Sequence, residues 1–211
     1  MDALKIFGGV LVGWILSQLT DWRKRNREKK ADAAYLAASV LIALDRFISG
    51  CADVAGDEGT SYGRPAGRTE DGEEYYIPQK SIPKLSWDGL KVEWKSIEPN
   101  LMYSILSIPL ELAEAEDYLE GVAEHDDPPH DGYMGARQLR FAELGVMVTE
   151  IARKLRFEAG IPARPTKEWN AESYLRRRLQ ELQEREEKRL VTQNTFWSTA
   201  GTNETTSPPE S

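Results

Sequence analysis

The sequence predicts an all-α protein in which an N-terminal transmembrane helix continues into a kinked cytoplasmic helical bundle of about four helices. Three observations predict it. An apolar run from Ile6 to Leu19 is followed at once by six bases, long later stretches repeat apolar residues at alternating spacings of four and three, and Gly and Pro gather between those stretches.

Residues 3–20 contain one charge, Lys5. At about 1.5 Å per residue a helix of that length covers roughly 27 Å, the low end for crossing a bilayer. Lys5 lies near enough to the end to snorkel outward, and Trp22 sits where an interfacial aromatic anchor belongs. A secretory signal would place small residues after its apolar core, whereas Gln18, Asp21 and the bases follow here, so no cleavage is expected. Residues 21–30 read as a basic juxtamembrane segment carrying Arg23, Lys24, Arg25, Arg27, Lys29 and Lys30. Bases accumulate on the cytoplasmic flank, which predicts a single pass with the N-terminus out and everything after Trp22 in the cytoplasm. A buried core helix or an interfacial helix is the plainer alternative, since a run this short serves either. Gly9, Gly13 and Ser17 recur at four-residue spacing, placing small side chains on one face where a second backbone can approach, a pattern that allows a homo-oligomer.

The chain holds 27 basic and 35 acidic residues. With Lys5 and the six bases of the block set aside, 20 bases remain after residue 30 against 32 acids, a net −12. So acidic a domain is repelled by nucleic acid and by anionic headgroups, so no nucleic-acid partner is expected and the basic block is the part that meets the bilayer. Cys51 is the single cysteine, which excludes an internal disulfide and suits a reducing compartment.

Residues 31–56 form a stalk or bundle helix with Leu36, Val40, Leu44, Phe47, Cys51 and Val54 on one face, and nothing between Trp14 and Ser49 breaks helical geometry. Residues 57–84, rich in Gly, Asp, Glu and Pro, read as an exposed loop with Tyr75-Tyr76-Ile77-Pro78 as its one adhesive element. The bundle proper spans 85–190. Trp87, Leu90, Val92, Trp94 and Ile97 mark a short extended piece, and no sheet is expected. Pro99 opens a helix whose stripe runs Leu101, Ile105, Ile108, Leu112, Ala115, Leu119 and Val122, with a kink expected near 104–107 because Pro109 removes a backbone bond. A third helix covers about 133–159, with Phe141, Leu144, Val148, Ile151 and Leu155 inward and Gly160 as cap. A fourth follows Trp169 to about Leu190; its Arg176-Arg177-Arg178 run is explained by intrahelical pairing with nearby glutamates. Residues 191–211 are expected to be a disordered tail, and Phe196-Trp197 within it is not assigned as a docking motif.

One cluster has residue types suited to catalysis: His125-Asp126-Asp127-Pro128-Pro129-His130-Asp131. His125, Asp127, His130 and Asp131 are candidate ligands for a divalent metal that would activate water. All lie in one Pro-broken turn, however, whereas metal sites usually collect ligands from separate rigid elements. The His-Asp dipeptides resemble the dyad of His-Asp phosphohydrolases, a family that needs further histidines, and the chain has only two. Glu111 and Glu114 fall outside the apolar stripe and read as surface charges. No phosphate loop, nucleophile elbow or paired-Cys motif occurs, so no catalytic residue, cofactor or metal is assigned and a non-enzyme is expected.

Phe47 with Cys51-Ala52-Asp53, Trp94 followed by Ile97-Glu98-Pro99, Leu106-Ser107-Ile108-Pro109, and Leu155-Arg156 leading to Gly160-Ile161-Pro162 together resemble a loosely defined set of bacterial proteins with one N-terminal membrane helix and an all-helical cytoplasmic part. The resemblance implies bacterial origin and this architecture, and no activity; with the span, the expected location is the bacterial inner membrane. The expectation is a single-pass, non-catalytic scaffold or interaction module with the bilayer and a protein of unknown identity as partners. Two other classes stay open: a self-assembling membrane-active effector oligomerising through Gly9, Gly13 and Ser17, and a metal-dependent hydrolase using the His125–Asp131 cluster.

Overall fold

A computed structural model describes residues 2–127, 130–162 and 169–200, with backbone alone for 2–16 and 193–200. These residues are mostly helical. The order is α1 (Asp2–Ala55), two short antiparallel strands β1 (Gly67–Arg68) and β2 (Glu74–Tyr75), a 3-10 turn (Trp94–Ser96), α2 (Pro99–Leu106), α3 (Ile108–Ala123), α4 (Asp131–Ala159) and α5 (Ala171–Ala200). The helix expected to kink at Pro109 is divided in two, with Ser107 as the turn between α2 and α3. α5 carries helical backbone to Ala200, beyond the Val191 at which the tail is expected to begin, and residues 201–211 lie outside the described residues. So do Pro128, Pro129, Ala163, Arg164, Pro165 and the side chains of Phe196 and Trp197.

The chain forms two compact units. The first comprises Met1–Arg46, Leu85–Pro109 and Glu150–Pro165. Within it, every position of α1 from Ser17 to Asp32 is exposed, and burial begins only at the apolar stripe, where Leu36, Ala37, Val40, Leu41 and Leu44 are buried. The same unit buries Ile97, Leu101 and Ile105, and Ile151, Ala152 and Leu155 of α4. Arg156 of α4 pairs with Asp45 of α1 at 2.5 Å, both side chains partly shielded. Glu98 caps α2, accepting from the Leu101 N–H at 2.8 Å, and Pro99 occupies the first turn, where its missing N–H is no loss. The N–H groups of Asn100 and Leu101 hold the Glu98 carboxyl below its ordinary range. Pro109 has no N–H to offer the Ile105 carbonyl four residues back, and the Trp87 indole N–H donates to that oxygen at 3.2 Å. Trp94 meets Trp87 edge-on at 6.0 Å. Beyond Ala159, Gly160 takes φ +65°, letting the Ile161 N–H close onto the Arg156 carbonyl at 2.9 Å, the left-handed helix stop expected of it.

The second unit comprises Phe47–Lys84, Leu110–Thr149 and Thr166–Ser211. Phe47, Cys51 and Val54 of α1, Leu112 and Leu119 of α3, Phe141, Leu144 and Val148 of α4, and Leu175 and Leu182 of α5 form its core. Gly145 lets helices come close there, because a Cβ on it would stand 2.8 Å from a Leu175 methyl and 2.9 Å from the Cys51 Cβ. Burial pushes the Cys51 thiol far up, so it is a small core hydrophobe rather than a nucleophile. Asn170 caps α5, its side chain accepting from the Ser173 N–H at 3.2 Å.

Candidate functional site

The His125–Asp131 turn is used to start a helix. Asp126 accepts from the Tyr133 N–H at 2.8 Å, meeting one of the four unpaired donors of the first turn of α4. The His130 ring bonds the Asp126 carbonyl at 2.8 Å, and His125 the Gly121 carbonyl at 3.1 Å. His130 sits at φ +66°, the last residue before α4. Among the described residues no group of three His, Cys, Asp or Glu side chains could hold a metal ion, so Asp127 and Asp131 do not join the histidines in a ligand set. Glu111 and Glu114 are exposed, as expected. They border a groove of about 350 Å³ with Glu143 and Arg140, the arginine paired with Glu143 at 3.1 Å and lying 4.3 Å over the Tyr118 ring.

Trp22 is 63% exposed. Arg23, Lys24, Arg25, Arg27, Lys29 and Lys30 are exposed on all faces of α1, and none forms an ion pair among the described residues. Ser17 is likewise exposed. Lys5, Gly9 and Gly13 lie in the helical backbone of α1, and their side-chain surroundings fall outside the described residues. By length and composition α1 is long and apolar enough to cross a membrane. The apolar window found within Ser17–Ala55 is 44% buried, as the core strip of a bundle helix is, and is distinct from residues 3–20.

The most constrained polar centre in the second unit was missed by sequence reasoning. Asp57, two residues past α1, is 5% exposed. Its Oδ2 accepts from Arg137 Nη1 at 3.0 Å and from the N–H groups of Gln79 and Lys80, both at 2.8 Å. Its Oδ1 accepts from the Gly59 N–H at 3.0 Å. Burial alone would raise this carboxyl, but the N–H groups of Lys80, Gly59 and Gln79 together with Arg137 outweigh it and hold the group below its ordinary range. Arg137 also donates to the Lys80 carbonyl, and Gln138 donates to the Asp57 carbonyl at 2.6 Å. Arg178 of α5 completes the set, donating to the Ala55 carbonyl at 3.0 Å and to Gln138 at 3.3 Å. Among the described residues no buried side-chain polar atom lacks a partner. The cluster fastens Asp57 and residues 79–80, near the two ends of the 57–84 segment, to α4.

Between those fastened ends the chain turns twice. At Ser61–Arg64 the two outer residues exchange backbone bonds at 2.9 and 3.0 Å around Tyr62 and Gly63, which take φ +53° and +73°. Positive φ at both central positions is the hairpin turn that prefers Asn-Gly. Tyr62 is fully exposed at 102% and held in a left-handed conformation that costs a bulky residue about 1–2 kcal/mol. The second turn, closed by Thr69 and Glu73, brings β1 and β2 together, with Arg68 and Glu74 paired at 2.8 Å. The signals available in the sequence were Arg137 and Gln138, four and three residues before Phe141 on its stripe, and Arg178 between Leu175 and Leu182 on theirs.

These features define a mostly helical protein whose first helix is exposed and basic over residues 17–32 and buried along one face from Leu36 onward, with a loop clamped by Asp57. No family model, curated protein or solved structure matches the chain, so its function is argued from these features alone.

Proposed function

We propose that the protein is a single-pass, membrane-anchored scaffold in which α1 is the tether and the helical bundle the interaction module. The observation that carries this is the bare stretch of α1: Ser17 to Asp32 are exposed, and its six bases have no ion-pair partner among the described residues. A helix that packs on nothing in its own chain is marginal in water, and an apolar run ending in a basic collar is what a bilayer with anionic headgroups stabilises. In this reading residues 3–20 cross the bacterial inner membrane with the N-terminus outside, Lys5 and Trp22 mark its two faces, and the bundle lies in the cytoplasm. The mechanism is non-catalytic: confinement to a surface raises the effective concentration of whatever protein the bundle binds. The displayed segment is the 57–84 loop, where four hydrogen bonds on Asp57 hold the neck and Tyr62 stands at a turn, the side-chain type enriched at binding hot spots.

The test is to purify the intact protein from native membranes under mild cross-linking and identify its companions with their stoichiometry. A specific stoichiometric companion that is lost in Tyr62→Ala supports the scaffold. Self-adducts alone, lost in Gly13→Leu, replace it with the self-assembling effector.

A further inference from the structure

On the first unit, α2 and the end of α4 border a groove of about 510 Å³ whose floor is Leu101 and Ile151. Phe157 stands at its rim 88% exposed, and Tyr103, on the outward face of α2 with Asn100, is 72% exposed. Lys154 and Glu158 also border the groove, one helical turn apart, and neither has an ion-pair partner among the described residues. Arg153 is paired with Glu150, and Glu98 is engaged in capping α2, which leaves Lys154 and Glu158 as the groove's uncommitted charges.

We infer that this groove is the contact surface for a second copy of the same chain. A twofold interface requires one patch to complement itself, each residue i meeting j while j meets i. This patch holds both halves of such a contact: an aromatic knob in Phe157, an apolar hole over Leu101 and Ile151, a cation and an anion. Phe157 of each copy enters the groove of the other, and Lys154 of each meets Glu158 of the other. One aromatic side chain per copy makes a small interface, so the dimer is weak and concentration-dependent. The inference does not rest on the membrane tether.

The experiment is sedimentation velocity of the purified full chain in mild detergent across a concentration series, with circular dichroism as the folding control. Wild-type chain is expected to dimerise reversibly. Phe157→Ala and Lys154→Glu are each expected to raise the dimer dissociation constant at least tenfold, with unchanged helicity and melting temperature because both side chains are exposed. Lys154→Glu combined with Glu158→Lys is expected to return it to within about threefold of wild type, a recovery that a merely apolar contact would not give. A monomeric wild type overturns the inference, as does a dimer indifferent to Phe157→Ala and lost only in Gly13→Leu, or detergent occupying the groove without self-association. Membrane retention of Phe157→Ala, read separately, reports on the tether alone.

Discussion

Asp57 and Arg137 meet at 3.0 Å with 2% of each side chain exposed, 80 residues apart in the chain. Each charge compensates the other, while backbone N–H groups and the Lys80 carbonyl take up the remaining hydrogen-bonding positions. Asp57→Asn keeps the shape but leaves a buried guanidinium uncompensated, which should cost about 3 kcal/mol of folding stability. Urea titration followed by circular dichroism measures it. Because the same carboxylate fastens the 57–84 neck, trypsin should cut after Arg68, which precedes Thr69, faster in the variant under native conditions.

The clamp also sets an acid limit. The Asp57 carboxyl is held below its unfolded value of about 3.9, so the unfolded chain binds more protons and stability from this group is complete above that value. It is lost as pH falls through the lower folded value, and nothing is lost through this group between pH 7 and 5. Melting temperature against pH should therefore be flat for this contribution down to about pH 4 and drop below it, with a shallower drop in Asp57→Asn.

Tyr62 occupies a left-handed position with its side chain fully in solvent. Replacing it by Asn, which accepts that conformation readily, should stabilise the protein by about 1 kcal/mol while disturbing no contact. A thermal melt that shows no gain would mean the turn is not strained.

Much of the apolar core was legible as a periodicity. Leu36, Val40, Leu44, Phe47, Cys51 and Val54 are all buried as their spacing of four and three requires, and Phe141, Leu144, Val148, Ile151 and Leu155 likewise. Pro109 marked its own break, though a ring at the start of α3 separates two helices where a kink alone was expected. The clamp was not legible, because its long-range partners are 22 to 123 residues apart and its polar side chains are ones that a periodicity reading assigns to the surface. Arg176 and Arg177 do pair along α5 with Glu172 and Glu181, at 3.1 and 3.8 Å, while Arg178 turns inward to the Ala55 carbonyl. The 57–84 segment looked like solvated loop for the same reason: its order comes from one buried carboxylate rather than from apolar residues of its own.

Trp87 supplies the hydrogen bond that Pro109 denies the Ile105 carbonyl. Trp87→Phe keeps the ring and removes the donor, and should cost about 1 kcal/mol, read by chemical denaturation.

Asp126 of the His125–Asp131 turn helps to start α4. Asp126→Ala should destabilise by about 1 kcal/mol through loss of the Tyr133 N–H bond, whereas zinc, manganese or magnesium should leave the wild-type melting temperature unchanged. Calorimetric titration with each ion checks the second outcome, and a stoichiometric binding heat lost in His125→Ala with His130→Ala would contradict it.

The proposed scaffold works only if the first thirty residues are a membrane tether. The direct measurement is alkaline carbonate extraction of membranes from cells making the intact chain, compared with the chain lacking residues 2–20. The intact chain is predicted to stay in the membrane pellet and the shortened one to appear in the soluble fraction. Release of the intact chain by carbonate would contradict the tether and make α1 a helix that packs on protein instead.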